Sequence, residues 1–115
     1  MQQDRILSML GLAAKAGKVV SGEFSTEKAV KTGKAFLVVV SSEAADNTRK
    51  MFYNMCSFYK VPLYVYAPME DLGHAIGKGF RASLAVLDAG FAKSLEEKLK
   101  AAGQARQSEI QMENK

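Results

Sequence analysis

The chain has 115 residues, 48% of them hydrophobic and 24% charged, which describes one globular domain with a single core and excludes a low-complexity or highly charged disordered chain. Its net charge of +4 is carried wholly by residues 1–87, which hold 11 Lys/Arg and 7 Asp/Glu, whereas residues 88–115 hold 5 of each. A basic surface on the folded domain is therefore expected rather than a basic tail, and with it an acidic partner.

Residues 1–16 are predicted to be helical, with Ile6, Leu7, Leu10, Ala13 and Ala14 at spacings of three and four on one face, and Gly17 as the stop. Lys18-Val19-Val20 reads as a short extended piece. Ser21-Gly22 then opens an amphipathic helix with acidic Glu23 in its first turn, where it complements the positive end of the helix dipole. Lys28 and Lys31 share one face of that helix, and Gly33-Lys34 turns the chain into the apolar run Phe36–Val40, expected to be a strand covered on both faces.

A polar connection, 41–47, leads to a third helix from Asn47 to Tyr59. Its Met51, Phe52, Met55, Cys56 and Tyr59 are expected in the core, and Arg49, Lys50 and Asn54 outside. After Val61-Pro62, where the proline disfavours helix in the residue before it, Leu63–Tyr66 reads as a strand. Pro68, Glu70 and Asp71 suit the first turn of a short helix that stops at Gly77. Residues 77–81 (Gly-Lys-Gly-Phe-Arg) form a flexible basic loop before a strand at Ala82–Leu87, and a last helix runs from Phe91. Beyond Gly103 the chain is polar and expected to fray. Alternating helices and short buried strands imply an α/β fold: a central sheet of about four strands with helices on both faces, in one domain.

The search for chemistry excludes more than it finds. Gly73-His-Ala-Ile-Gly77-Lys78 has three residues between its glycines and no following hydroxyl, and it does not follow a strand, so it is no phosphate loop. His74 and Cys56, the sole histidine and cysteine, do not make a metal site by themselves, and one cysteine excludes an internal disulfide. Glu70 and Asp71 have a structural explanation in a helix first turn, so no catalytic set, metal, cofactor or small-molecule substrate is expected. No apolar run approaches the roughly 18 residues of a membrane span, and the amino terminus lacks a basic region followed by a long apolar stretch; a cytoplasmic protein without a membrane partner is expected.

What survives is basic and glycine-rich: Lys18, the helix start at Gly22, Lys28, Lys31 and Lys34, and the loop Lys78-Gly79-Phe80-Arg81. Backbone N–H groups at a helix start bind phosphate oxygens, lysines supply charge, and Phe80 offers a face on which an unpaired base stacks. The same residues equally describe a solvated face with Phe80 packed inward.

These residues, in their order and spacing, resemble the kink-turn-binding ribosomal protein family (the L-seven-Ae / L-thirty-e group), and most of all its small bacterial YlxQ-type branch. The resemblance spans roughly residues 5 to 95. It is carried by Leu10-Gly11-Leu12-Ala13 with Ala16-Gly17-Lys18, Gly22 with Lys28-Ala29-Val30, Gly33-Lys34-Ala35, Asn47-Thr48, Tyr59-Lys60-Val61-Pro62, Leu72-Gly73 with Ile76-Gly77-Lys78, and Asp88-Ala89-Gly90-Phe91-Ala92. It implies a three-layer α/β/α sandwich with a mixed sheet, and a non-catalytic protein that binds structured RNA, bent or bulged, in a ribosomal or other ribonucleoprotein setting. Residues 1–100 would be the RNA-binding domain and 101–115 a polar tail.

Kink-turn binders carry Gly-x-Asn-Glu-x-x-Lys where this chain has Gly22-Glu23-Phe24-Ser25-Thr26-Glu27-Lys28. Glycine and lysine match, but Phe24 replaces the amide and Ser25 the carboxylate that read sheared G·A pairs. Each good base-edge contact is worth about 1–3 kcal/mol of discrimination, so this chain loses most of that specificity. The resemblance implies RNA contacts at Gly22, Glu23, Phe24, Ser25 and Lys28, and at Lys78, Gly79, Phe80 and Arg81 next to a looped-out nucleotide. Phe24 also motivates an alternative: a protein-interaction module on the same fold that no longer recognises RNA.

Overall fold

The computed structural model describes residues 4–107. In chain order these form α1 (Arg5–Lys15), β1 (Val19–Ser21), α2 (Glu23–Lys31), β2 (Leu37–Val40), α3 (Asp46–Tyr59), β3 (Leu63–Val65), α4 (Met69–Ala75), β4 (Ser83–Val86) and α5 (Ala89–Ala101). The strands make one mixed sheet in the order β1-β4-β2-β3. β4 is antiparallel to both β1 and β2, and only β2 and β3 run parallel.

Successive strand residues face opposite ways, and each face has its own helices. Leu37, Val39, Tyr64, Leu84 and Val86 pack with residues of α1, α4 and α5, while Val38, Val40, Leu63 and Ala85 pack with residues of α2 and α3. The expected α/β/α sandwich is present. All four residues of β2 are buried, and full burial of a Val or Leu contributes about 1.5–3 kcal/mol. β2 holds the two layers together.

Element boundaries follow the caps. Asp4 Oδ1 accepts from the Leu7 N–H (2.9 Å), so α1 opens at Arg5; the part of the expected first helix at 1–3 lies outside the described residues. Asp88 Oδ2 accepts from the Phe91 N–H (2.8 Å), which starts α5 at Ala89 rather than Phe91. α3 ends one residue before Lys60, whose φ is 61°. The apolar face expected of α3 is only partly interior: Phe52, Met55 and Cys56 are buried, but Tyr59 is 42% exposed.

The polar stretch after Gly103 was expected to fray, yet its start is anchored. The Gln104 N–H donates to the Leu99 carbonyl (2.9 Å), and Arg106 reaches Glu96 Oε2 through Nε (2.7 Å) and Nη2 (2.6 Å). The same oxygen accepts from the Tyr64 hydroxyl (2.7 Å), and burial first, then this bond, pushes the Tyr64 phenol up in pKa. The expectation for 108–115 lies outside the described residues.

Burial also raises the pKa of the Cys56 thiol, to about 12. Because the thiolate is the nucleophile, native Cys56 should react with an alkylating reagent at pH 8 about a thousandfold more slowly than in denaturant, where its pKa returns to about 8.5. Mass-spectrometric labelling with and without urea measures the ratio.

Candidate nucleic-acid interface

The sheet topology selects which loops meet. Ser21 at the end of β1 pairs with Leu84 near the start of β4, and Val40 at the end of β2 pairs with Ser83. The start of α2 and the loop before β4 therefore emerge side by side at one edge, with the chain leaving β2 and β3 beside them.

Gly22 takes φ 92°, a backbone conformation that L side chains rarely adopt, and this lets the chain turn from β1 into α2. Its N–H donates to the Ser83 carbonyl (3.0 Å) and its carbonyl accepts from Thr26 (2.9 Å). Thr26 is buried and accepts from the Ser83 hydroxyl (3.4 Å). The helix start is thus fastened to β4 on two sides. No side chain caps it, which leaves its first-turn N–H groups without a side-chain partner.

The basic loop is not slack, contrary to expectation. The Lys78 N–H donates to the Gly73 carbonyl (2.8 Å), Gly77 to His74 (3.1 Å) and Arg81 to Met69 (3.1 Å). A β-carbon on Gly73 would lie 1.4 Å from the Gly79 carbonyl oxygen. The loop backbone rests directly on α4, which only a glycine permits. Arg81 closes the arrangement: its Nε donates to Ser21 Oγ (2.9 Å) and its Nη1 to the Phe80 carbonyl (2.9 Å). A groove of about 500 Å³ runs between these parts, lined by Ser21, Ser25, Gly77, Lys78 and Arg81 among others.

The residues singled out in the sequence divide into two groups. Gly22, Glu23, Phe24, Ser25 and Lys28 on one side and Lys78, Gly79, Phe80 and Arg81 on the other belong to this edge. Lys28 is one turn along from Phe24 and Ser25, on their face. Phe80 does not pack inward: it is 66% exposed, and Phe24 is 78% exposed.

Lys31 and Lys34 do not join them. Lys31 lies eight residues past Glu23, about 12 Å along the helix at 1.5 Å per residue, and its Nζ is bound to Glu27 (2.7 Å). That bond, chiefly, raises its pKa. Lys34 precedes β2, whose first residue pairs with Val86 at the far end of β4. Lys18, before β1, is at that far end too, its carbonyl accepting from Leu87 (2.8 Å).

Two further residues shape this edge. Ser21 orients Arg81, and Gly73 seats the loop. A glycine inside a helical pattern is a weak signal of close backbone approach; nothing in the sequence marks Ser21 as a partner of Arg81. Glu43, in the polar connection 41–47, caps a helix distant in sequence, accepting from the Met69 N–H at the start of α4 (3.0 Å). Among the described residues no group of three or more His, Cys, Asp or Glu is placed to hold a metal, and no helix is long and apolar enough to cross a membrane.

An α/β/α sandwich whose uncapped helix start and seated basic loop share one edge is the form of a nucleic-acid-binding scaffold. Comparison with known proteins agrees: residues 4–96 match the ribosomal protein L7Ae/L30e/S12e/Gadd45 family, and the chain belongs to it. It is 42% identical over 87 residues to RNA-binding protein YlxQ of Bacillus subtilis, which covers 76% of this chain and 87% of that one. It is 43% identical over 84 residues to the large ribosomal subunit protein eL30 of Neurospora crassa, covering 70% and 76% of the two chains. A solved Bacillus halodurans protein of unknown function superimposes with a TM-score of 0.83 at 39% identity, over 85% of this chain and 99% of that one.

Replacing Gly73 by Ala should displace the 78–81 backbone and destabilise the domain by about 1–3 kcal/mol, the usual cost of overpacking. Urea unfolding reads the stability, and amide chemical shifts of residues 77–81 read the displacement.

Proposed function

We propose that this chain is a non-catalytic RNA-binding protein, ribosome-related, that grips bent or bulged RNA across the edge where α2 begins and the loop before β4 ends. The observation that carries the reading is the Arg81–Ser21 bridge. It joins two glycine-marked segments sixty residues apart in the chain into one groove. The names of the B. subtilis and N. crassa relatives, an RNA-binding protein and a large-subunit ribosomal protein, support the same class of ligand. They also weigh against a pure protein-interaction module.

The roles follow from chemistry and position. The N–H groups of Glu23, Phe24 and Ser25 hold phosphate oxygens at the helix start, and Lys28 and Lys78 add charge from either side of the groove. Arg81, with Nε held by Ser21, positions the loop and presents the remainder of its guanidinium. Phe24 and Phe80, both exposed, stack on unpaired bases, a mode that tolerates sequence. The hydroxyl of Ser25 is too short to take over base reading from a carboxylate, so shape and stacking select the RNA more than sheared G·A edges do. Ribosomal RNA in the cytoplasm is the ligand this reading favours.

Phosphate contacts make such binding salt-dependent. Gel-shift titrations with a bulged RNA hairpin at two salt concentrations should show affinity falling steeply with salt. Lys28→Ala and Lys78→Ala should each weaken binding several-fold and lower the salt slope by about 0.7–0.9, the share of one phosphate contact. Salt-independent binding, or variants indistinguishable from the parent protein, would show that the groove is not the RNA surface.

A further inference from the structure

Six large apolar side chains are exposed among the described residues: Leu12, Phe24, Phe36, Phe58, Tyr59 and Phe80. Phe24 and Phe80 are chain neighbours of Ser25 and Arg81, which line the groove. Phe36, Phe58 and Tyr59 lie at the opposite edge of the sheet, and the topology brings them together. The Phe36 N–H donates to the Val86 carbonyl (2.8 Å) at the end of β4 remote from the groove. α3 ends at Tyr59, then Lys60 turns the chain so that the Val61 N–H reaches the Cys56 carbonyl (2.9 Å) and the Pro62 carbonyl accepts from Val38 (2.9 Å). The last turn of α3 therefore stands over the entrances to β2 and β3.

Buried Ala35 and Val61 belong to one core cluster, and their chain neighbours Lys34, Phe36 and Lys60 are exposed beside it. Phe58 and Tyr59 meet edge to face, with ring centroids 4.9 Å apart. The end of α2 is adjacent too: Lys31 owes its raised pKa first to the hydrogen bond and charge of Glu27, and then to Tyr59.

This edge is basic. Exposed Lys34 and Lys60 flank Phe36 and Tyr59 in the chain, with Lys18 further along. Glu27 is paired with Lys31, so that pair adds no net charge, and Glu23 and Asp46 sit in the first turns of their helices, away from this edge. Asp88 is occupied in capping α5. The mixture also decides the kind of partner. The core of a protein–protein interface is depleted of lysine, whereas a surface for an unpaired nucleic-acid strand interleaves lysines for phosphates with exposed rings for bases.

We propose that this edge is a second RNA surface, which takes an unpaired strand by stacking bases on Phe36, Phe58 and Tyr59 and by phosphate contacts to Lys34 and Lys60. The domain then bridges two RNA segments, a bent or bulged one at the groove and a single-stranded one at the far edge. The proposal rests on the RNA-binding reading for its class of ligand, but not on where the groove is.

The test is fluorescence anisotropy of the full chain with a fluorescein-labelled uridine dodecamer at low salt. Two double variants are compared: Lys34→Gln/Phe58→Ala at the far edge, and Phe24→Ala/Lys28→Ala at the groove. All four positions are exposed, and thermal melts confirm that each variant is folded. The far-edge variant should lose about tenfold or more in affinity for the dodecamer, and the groove variant, whose Phe24 and Lys28 also meet unpaired strand, several-fold less than that. Overturning results are no dodecamer binding by the parent protein, a far-edge variant within about twofold of it, or equal losses in both variants. If the parent protein ignores the bulged hairpin but binds the dodecamer through Lys34 and Phe58, the groove reading falls and this one stands.

Discussion

The antiparallel pairing of β1 with β4 is the constraint on which the rest depends. With Val19 opposite Val86 and Ser21 opposite Leu84, the end of one strand is forced to lie beside the beginning of another that is sixty residues later. Whatever follows β1 and whatever precedes β4 must then share an edge. The Gly22–Ser83 backbone bond (3.0 Å) and the Arg81–Ser21 side-chain bond (2.9 Å) are the outermost rungs of that pairing. A parallel β1 would send the start of α2 to the opposite edge and dissolve the groove.

Backbone geometry at two glycines completes the arrangement, in different ways. Gly22 supplies a dihedral angle; Gly73 supplies the absence of a β-carbon where the Gly79 carbonyl needs the space. The charged residues come last in this hierarchy. Lys78 lines a groove whose shape is already set by hydrogen bonds and close packing. Arg81 spans both levels, since the atoms that hold the loop and those facing the groove belong to one guanidinium.

Much of the fold was legible because periodicity and burial agree. The β2 run has no polar residue and is buried on both faces, and Phe52, Met55 and Cys56 of α3 are buried on the face its spacing indicated. Strand order was not legible, since hydrophobic patterning is the same for parallel and antiparallel neighbours. Tyr59 shows a second limit: at about 100° per residue it lies only about 20° around the helix from Phe52, well within the core-facing arc. It is exposed because it lies past the end of the sheet, a matter of position along the axis that angular periodicity does not carry. The same blindness grouped Lys31 and Lys34 with the helix start, when Lys31 ends the helix about 12 Å away and Lys34 follows it. The pairing of Arg81 with Ser21 depended on strand order and was hidden for that reason.

The groove as a single RNA surface is tested most directly by titrating the 15N-labelled chain with a bulged RNA hairpin and following backbone amide shifts. Amides of residues 21–28 and 77–81 should move together, with one apparent affinity, while those of α5 stay in place. Movement of only one of the two segments, or shifts confined to α5 and the α1/α4 face, would contradict the account.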